Sequence, residues 1–271
     1  MSTLPSNASL SEYRVIFLHP HSRSLLVGES ADSRCVARVP VPIGTRPVEQ
    51  LRKAVSTRWG LNILVLDLIP SDPPMSPLAI TEVFVREIPP TFKAICSEEI
   101  KDGELTESER RHLQKILDGT VEHPLARIGW IKEAVSWLEE VTGNRVVQES
   151  GIEQYNAGGA FTLVRFRMQD GRGYWLKATG KPNGHERAIT SLLSRLCPDH
   201  LPTLIAERPA WNAWLTLEEG KAISMLFPES HALSSLLEGA VESMAELQVK
   251  TVGFHENLLA AGAFDHRLHA L

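Results

Sequence analysis

The chain has 271 residues and a net charge of −5, and 43% of its residues are hydrophobic while 23% are charged. This balance is typical of a globular protein, and the length suits two domains of modest size. The acidic balance, without clustered Lys and Arg, argues against a nucleic-acid partner. No apolar run reaches the ~20 residues of a membrane helix, and the polar N-terminus does not resemble a signal peptide. We therefore expect a cytoplasmic protein with no nucleic-acid and no membrane partner.

The cysteines are isolated in the sequence. There are three of them, Cys35, Cys96 and Cys197, and none forms a C-x-x-C pair. An odd number of widely spaced cysteines is typical of thiols in a reducing compartment rather than of disulfide or zinc sites. We expect no role for them in either kind of site.

The first part of the chain mixes strand and helix patterns. Strands are predicted at 13–18, 24–27, 61–69 and 79–88, and helices at 47–59, 107–117 and 130–141. The first two strands form a hairpin across the turn at 19–22. Gly60 and Gly143 are placed to end two of the helices, and Thr106 with Glu109 has the spacing of a capping box. These elements form a first domain, 13–143, which follows a disordered segment, 1–12.

The second part follows a linker at 144–150 and has its strands before its helices. Strands are predicted at 164–168, 174–178 and 211–217, and helices at 185–195 and 234–250. The turn at 169–173, Gln-Asp-Gly-Arg-Gly, indicates a hairpin between the first two strands. The whole order predicts an α+β protein with a second domain at 151–271.

The order of elements in 13–143 resembles the Nudix hydrolase fold, an α/β/α sandwich. The Nudix motif, G-x5-E-x7-R-E-U-x-E-E-x-G-U with U aliphatic, places glutamates on one helix to hold magnesium on a diphosphate. With the end of the motif aligned on Gly60-Leu61, its glutamate positions fall on Thr45, Ala54, Thr57 and Arg58. The resemblance implies a degenerate Nudix-like domain in which hydrolysis is disfavoured. The alternative is a small α+β domain whose helix simply ends at Gly60.

Residues 151–271 resemble the small lobe and first large-lobe helices of aminoglycoside phosphotransferase-like kinases. A strand ends at Lys177, and Glu186 follows nine positions later on a predicted helix. In such a lobe the lysine binds the ATP phosphates, and the glutamate holds the lysine in reach. The resemblance implies these roles for Lys177 and Glu186. The alternative is a solvated strand lysine and an exposed glutamate near a helix N-terminus.

Two more segments carry the kinase resemblance. The loop 156–161 contains Gly158 and Gly159 and would cover the phosphates, since glycines leave backbone N–H groups open to anions. A plain hairpin turn is the alternative there. The strand 211–217 leads into Leu217 and Glu218, where the hinge of such a lobe receives adenine. A core strand with buried tryptophans is the alternative for that segment.

The catalytic residues of such a kinase do not occur in the sequence. The H-G-D-x-x-x-x-N loop and the D-F-G-like aspartate are both absent before the last residue, Leu271. His266 and His269 have helical spacing, but we expect them to be solvated. We therefore predict the nucleotide-binding part of a kinase-like protein, inactive as this chain. It could bind ATP, and Mg²⁺ only if the missing region is supplied.

The alternative function is a non-catalytic ligand-sensing or protein-interaction adaptor built on the Nudix-like domain. An incomplete large lobe would leave apolar side chains exposed on the last helices. They are Leu236, Leu237, Met244, Leu247, Leu258 and Leu259. Such a face predicts self-association.

Overall fold

The computed structural model describes residues 9–28, 34–70, 75–85, 87–220 and 230–265. They form a mixed α+β protein with two sheets and several helices, which confirms the predicted class. The strands of the first sheet are β1 (Leu10–Leu18), β2 (Leu25–Gly28), β3 (Ala37–Pro42), β4 (Ile63–Ile69), β5 (Leu78–Val83) and β6 (Phe92–Ile95). Those of the second are β7 (Ile152–Asn156), β8 (Phe161–Arg167), β9 (Gly173–Thr179), β10 (Leu204–Arg208) and β11 (Ala213–Leu217). The helices are α1 (Pro47–Trp59), α2 (Glu107–Asp118), α3 (Trp130–Thr142), α4 (Glu186–Leu196), α5 (Ser230–Thr251) and α6 (His255–Ala260).

The first sheet has the strand order β4-β5-β1-β2-β6, and β3 also pairs with β1. The end of β1 forms the predicted hairpin with β2, and the start of β1 pairs with β3. On its other edge β1 runs parallel to β5. Pairing with β3 begins at Leu10, so β1 starts before the domain boundary expected at residue 13.

The helix α1 covers one face of this sheet. Its apolar residues Val48, Leu51 and Val55 recur at helical spacing, and each is 2% exposed or less. They pack with Val15 and Phe17 of β1. Pro47 begins the helix and Gly60 ends it in the left-handed conformation, with φ 68°. The predicted bounds of this helix are therefore confirmed.

A second apolar cluster joins the two sheets through α2 and α3. It contains Ile16 and Leu18 of β1, Trp130 and Leu138 of α3, and Phe166 of β8. The second sheet is antiparallel throughout, in the order β10-β11-β9-β8-β7. One of its faces is therefore buried in a core that it shares with the first sheet.

Two predicted strands have different ends in the structure. The strand expected at 79–88 stops at Val83, because Val83 pairs with Ile63, the first residue of its neighbour β4. The strand expected at 211–217 starts only at Ala213. Residues 209–211 form a 3-10 turn, and Asn212 has a positive φ of 46°, which a strand does not allow. The strands β3, β6, β7 and β10 had no predicted counterpart.

Several expectations concern the ends of the chain and its thiols. His266 and His269 lie outside the described residues. No disulfide joins the three cysteines. Within the described part of the chain, none of the helices combines the length and the apolar character needed to cross a bilayer.

Candidate functional site

One face of the second sheet remains partly open, and we call it the α4 face. Because side chains alternate along a strand, it carries Leu163 and Arg165 of β8 together with Trp175 and Lys177 of β9, all half-buried. Trp214 of β11 lies opposite Lys177 in the sheet pairing. The α4 face therefore combines a cation with aromatic surface.

Lys177 and Glu186 form an ion pair on this face. Their side chains are 31% and 34% exposed. The Lys177 ammonium also lies 5.3 Å from the ring centre of Phe161 and 5.4 Å from that of Trp214, within the range of cation–π attraction. The structure thus brings together the two residues that the resemblance to a kinase small lobe pairs. Their role toward a nucleotide stays a prediction.

Asn212 holds the segment that leads into α4. Its side-chain N–H groups donate to the backbone oxygen of Thr179 at 2.7 Å and to that of Gly184 at 2.8 Å. Its side-chain oxygen accepts from the Arg187 guanidinium at 3.2 Å. Asn212 therefore fixes the end of β9 against the start of α4, and this places Glu186 beside Lys177.

A second contact ties α4 to β10. Glu207 of β10 accepts from the Arg187 guanidinium at 2.5 Å and from the Ser191 hydroxyl at 2.6 Å. The sequence reasoning missed Asn212, Arg187 and Glu207. The one local signal was that asparagine tolerates a positive φ and is common in turns.

The glycine loop at 156–161 packs against the first sheet. A Cβ on Gly158 would lie 2.7 Å from an Asp67 carboxylate oxygen, and one on Gly159 would lie 3.2 Å from the His123 Cβ. Gly158 also has a positive φ of 99°. Glycine is needed here for close packing as well as for backbone shape. This side of the predicted phosphate loop therefore faces a carboxylate.

Two histidines lie near the Asp67 carboxylate. His112 lies 2.8 Å from the other Asp67 oxygen. Burial lowers the pKa of His123, and the Asp67 charge acts in the opposite direction. The His123 Nδ1 accepts from the Leu125 N–H at 3.3 Å, as a neutral imidazole can.

The predicted hinge residues already use their backbone donors. The Leu217 N–H donates to the Thr203 oxygen, and the Glu218 N–H donates to the Gly173 oxygen, both at 2.9 Å. The Glu218 carboxylate accepts from the Arg165 guanidinium at 2.8 Å. These two N–H groups are therefore committed to the sheet.

A groove of about 850 Å³ opens beside these residues. It is lined in part by Arg46, Tyr155, Arg165 and Trp175. The rings of Tyr155 and Trp175 have centres 5.2 Å apart, and the Arg46 guanidinium lies 5.2 Å over the Tyr155 ring. Because Arg46 precedes α1, the groove lies at the junction of the two sheets. Such junctions with flat apolar walls are common ligand sites.

The apolar residues expected to be exposed on the last helices differ in exposure. Leu236, Leu237 and Met244 are 39%, 51% and 56% exposed. The others, Leu247, Leu258 and Leu259, are half-buried. Self-association through these residues stays a prediction.

Two solved structures have a weak likeness to parts of this chain. No protein-family model and no curated sequence matches the chain. A fructosamine-3-kinase-like structure from Thermobifida fusca matches with 17% identity and a TM-score of 0.25, covering 32% of this chain and 31% of that one. A UDP-X diphosphatase matches with 9% identity and a TM-score of 0.30, covering 44% of this chain and 67% of that one. The chain spans about a third of the kinase-like structure, and neither likeness establishes a shared fold.

Proposed function

We propose that this chain is a nucleotide-binding protein, with ATP held on the α4 face. The observation that carries the proposal is the Lys177–Glu186 ion pair on a half-buried, partly open sheet face. A polyphosphate needs a cation in a fixed position, and the glutamate and two aromatic rings restrict where the ammonium can lie. Lys177 would contact the phosphates, and Glu186 would support it.

The base would bind by stacking rather than through the backbone of the hinge. The Leu217 and Glu218 N–H groups are committed to other carbonyls. Trp175, two residues before Lys177 on the same face, presents its ring to the groove. Aromatic rings stack favourably on one another, so an indole offers a surface for adenine.

The order of lysine strand, glutamate helix and hinge supports a finer proposal, a small lobe similar to that of aminoglycoside phosphotransferase-like kinases. Phosphoryl transfer is not included, since the sequence has no H-G-D-x-x-x-x-N loop. Magnesium is not included either. Among the residues that the structure describes, no group of three or more His, Cys, Asp and Glu side chains could hold a metal ion.

The test is calorimetric titration with ATP, with and without Mg²⁺, on the wild type and on Lys177→Ala. Lys181→Ala is the matched control, because Lys181 is an exposed lysine in the loop that follows β9. We expect Lys177→Ala to weaken ATP binding by about tenfold or more, the value of one contact to a charged group. The control should bind like the wild type.

Two outcomes would overturn the proposal. One is the absence of ATP binding by the wild type. The other is equal loss in the two lysine variants, which would indicate general charge attraction rather than a site at Lys177.

A second candidate is a non-catalytic ligand-sensing or interaction adaptor built on a Nudix-like first domain. The observation that favours it is the exposed side of α1, where Lys53, Thr57 and Arg58 stand at or beside the positions of the Nudix glutamates. Lys53 and Thr57 are one helical turn apart, so they share a face. The positions of the missing glutamates are therefore neutral or basic, which suits an anionic ligand bound without a metal.

A further inference from the structure

A second cavity lies within the first sheet, in a different part of the molecule from the α4 face. It has a volume of about 250 Å³ and is lined mainly by β1, β2, β3 and the end of α1. Its aromatic walls are Phe17, Trp59 and Phe92. The Phe17 ring meets the other two edge-to-face, with ring centres 5.5 and 6.0 Å away. The interior of the cavity is therefore apolar and shaped by flat rings.

The charged residues among the described lining are all arginines. Arg34, Arg38 and Arg58 all line the cavity, and none of the lining residues that the structure describes is an aspartate or glutamate. Arg38 is partly compensated, since Glu12 and Glu104 lie 3.2 and 3.4 Å from its guanidinium. Nothing in the described residues forms an ion pair with Arg34 or Arg58. Among the described residues, the lining of the cavity therefore carries more positive than negative charge.

The Arg58 guanidinium is held in position. It lies 4.5 Å from the ring centre of Trp59, and it donates to the Arg38 carbonyl oxygen at 3.0 Å. A cation stacked on a ring and tied to backbone loses little freedom when it binds an anion, so the site is pre-organised. The same ring forms a wall of the cavity, which places charge and apolar surface next to each other.

We propose that this cavity binds a small organic anion, with one aromatic ring among Phe17, Trp59 and Phe92 and its acidic group against Arg34 and Arg58. The volume of the cavity limits the class of ligand. The cavity is smaller than the ~300–1,000 Å³ of ordinary drug-sized sites, so it takes one ring with a carboxylate or phosphate rather than a whole nucleotide. Arginine binds either acid through paired N–H groups, and no metal is needed. The site does not depend on ATP binding at the α4 face.

The test uses phenyl phosphate as the probe and the indole N–H resonance of Trp59 as the readout. The resonance is assigned by its loss in Trp59→Phe, and titrations are followed by NMR. Benzyl alcohol, a neutral compound with the same ring, and inorganic phosphate, an anion without a ring, are titrated in parallel. We expect phenyl phosphate to shift the Trp59 resonance with saturation, at concentrations at which neither of the other compounds does.

Variants separate this site from general charge attraction. Arg58→Gln and Arg34→Gln should each weaken phenyl phosphate binding by about tenfold, the value of one charged hydrogen bond. Arg111→Gln is the control, because Arg111 is 73% exposed on α2 and does not line the cavity. Its binding should equal that of the wild type. The Arg34 carbonyl oxygen accepts from the Lys101 N–H, which a side-chain substitution leaves in place. Arg34→Gln therefore tests binding with little effect on the fold.

Three results would overturn the proposal. They are saturable binding of benzyl alcohol with equal affinity, unchanged affinity in both cavity arginine variants, and binding that leaves the Trp59 resonance in place. ATP titration of Lys177→Ala reports on the other face, so failure at one site is distinguishable from failure at the other.

Discussion

At the scale of single residues, a buried ion pair fixes the first sheet to α2. Arg14 of β1 and Glu109 of α2 are 1% and 3% exposed, and two Arg14 N–H groups donate to the two Glu109 carboxylate oxygens. Arg14 also donates to the backbone oxygen of Ser76 at 2.8 Å and to the backbone oxygen of Glu104 at 2.6 Å. Replacing either residue of the ion pair would leave buried polar atoms without hydrogen bonds. A single substitution should therefore destabilise the folded protein.

Arg14→Met should therefore lower the free energy of unfolding by about 3–5 kcal/mol, the usual cost of a buried charge that loses its partner. Adding Glu109→Gln should restore part of this loss. Glutamine has no charge to bury and still serves in the capping box with Thr106. Urea unfolding measures both, and Arg111→Gln on the exposed side of α2 should change stability by less than about 0.5 kcal/mol. A loss from Arg14→Met as small as that of the control would contradict the prediction.

At the scale of elements, a carboxylate joins β5 to the start of α3. Glu82 is 1% exposed and accepts from the Gly129 N–H, the N-cap of α3, at 2.7 Å. Burial raises the pKa of Glu82, while the Gly129 hydrogen bond and the Lys132 charge oppose this shift. The folded state therefore binds the Glu82 proton more tightly than the unfolded chain does.

That shift makes the stabilising effect of Glu82 depend on pH. The contribution is fully present below the pKa that Glu82 has in the unfolded chain. It is lost as the pH rises through the higher pKa that Glu82 has in the folded protein. Glu82→Gln keeps an oxygen for Gly129 and does not titrate. We expect the stability of Glu82→Gln relative to the wild type to increase from about pH 4 upward and then to level off. Urea unfolding at a series of pH values measures the difference, and a difference that stays constant with pH would refute this interpretation.

Helices were predicted better than short strands, for a physical reason. The bounds of α1 and α3, and the capping box of α2, follow from apolar spacing and from Gly60, Gly143 and Thr106, all of which are local signals. By contrast β3 contains Pro40 and Pro42, which disfavour a strand in isolation. It forms because β1 supplies a partner along its length. The four-residue β6 likewise depends on β2.

The features of the candidate site likewise include some that could be predicted from the sequence and some that could not. The pairing of Lys177 with Glu186 was implied by the resemblance to a kinase small lobe, and the strand and helix that carry the two residues follow from the sequence. The placement of Asn212 and the commitment of the Glu218 N–H could not, since both depend on partners in other elements. The contact of Gly158 with Asp67 joins residues of the two sheets, and no local pattern predicts it.

At the scale of the whole molecule, the two sheets meet at their edge strands, β4 and β7. Gln154 of β7 is 1% exposed. The Val65 N–H donates to the Gln154 side-chain oxygen at 2.8 Å, and the Gln154 side-chain N–H donates to the Val65 oxygen at 2.7 Å. Arg52 of α1 donates to the Ile63 oxygen at 3.0 Å and to the Ile152 oxygen at 2.8 Å. One amide side chain thus forms hydrogen bonds with both backbone groups of Val65 at the edge of the first sheet.

The substitution Gln154→Leu tests whether these hydrogen bonds contribute to stability beyond the apolar core that the two sheets share. Leucine fills similar space but leaves the Val65 N–H and C=O buried without partners, each at a cost of about 1–3 kcal/mol. We expect the free energy of unfolding to fall by about 2–6 kcal/mol and the Val65 amide to exchange faster with deuterium. Gln148→Leu is the control, because Gln148 is exposed and should change stability by less than about 0.5 kcal/mol. If Gln154→Leu matched this control in stability and exchange, the shared core alone would hold the sheets together, and the edge contact would contribute nothing.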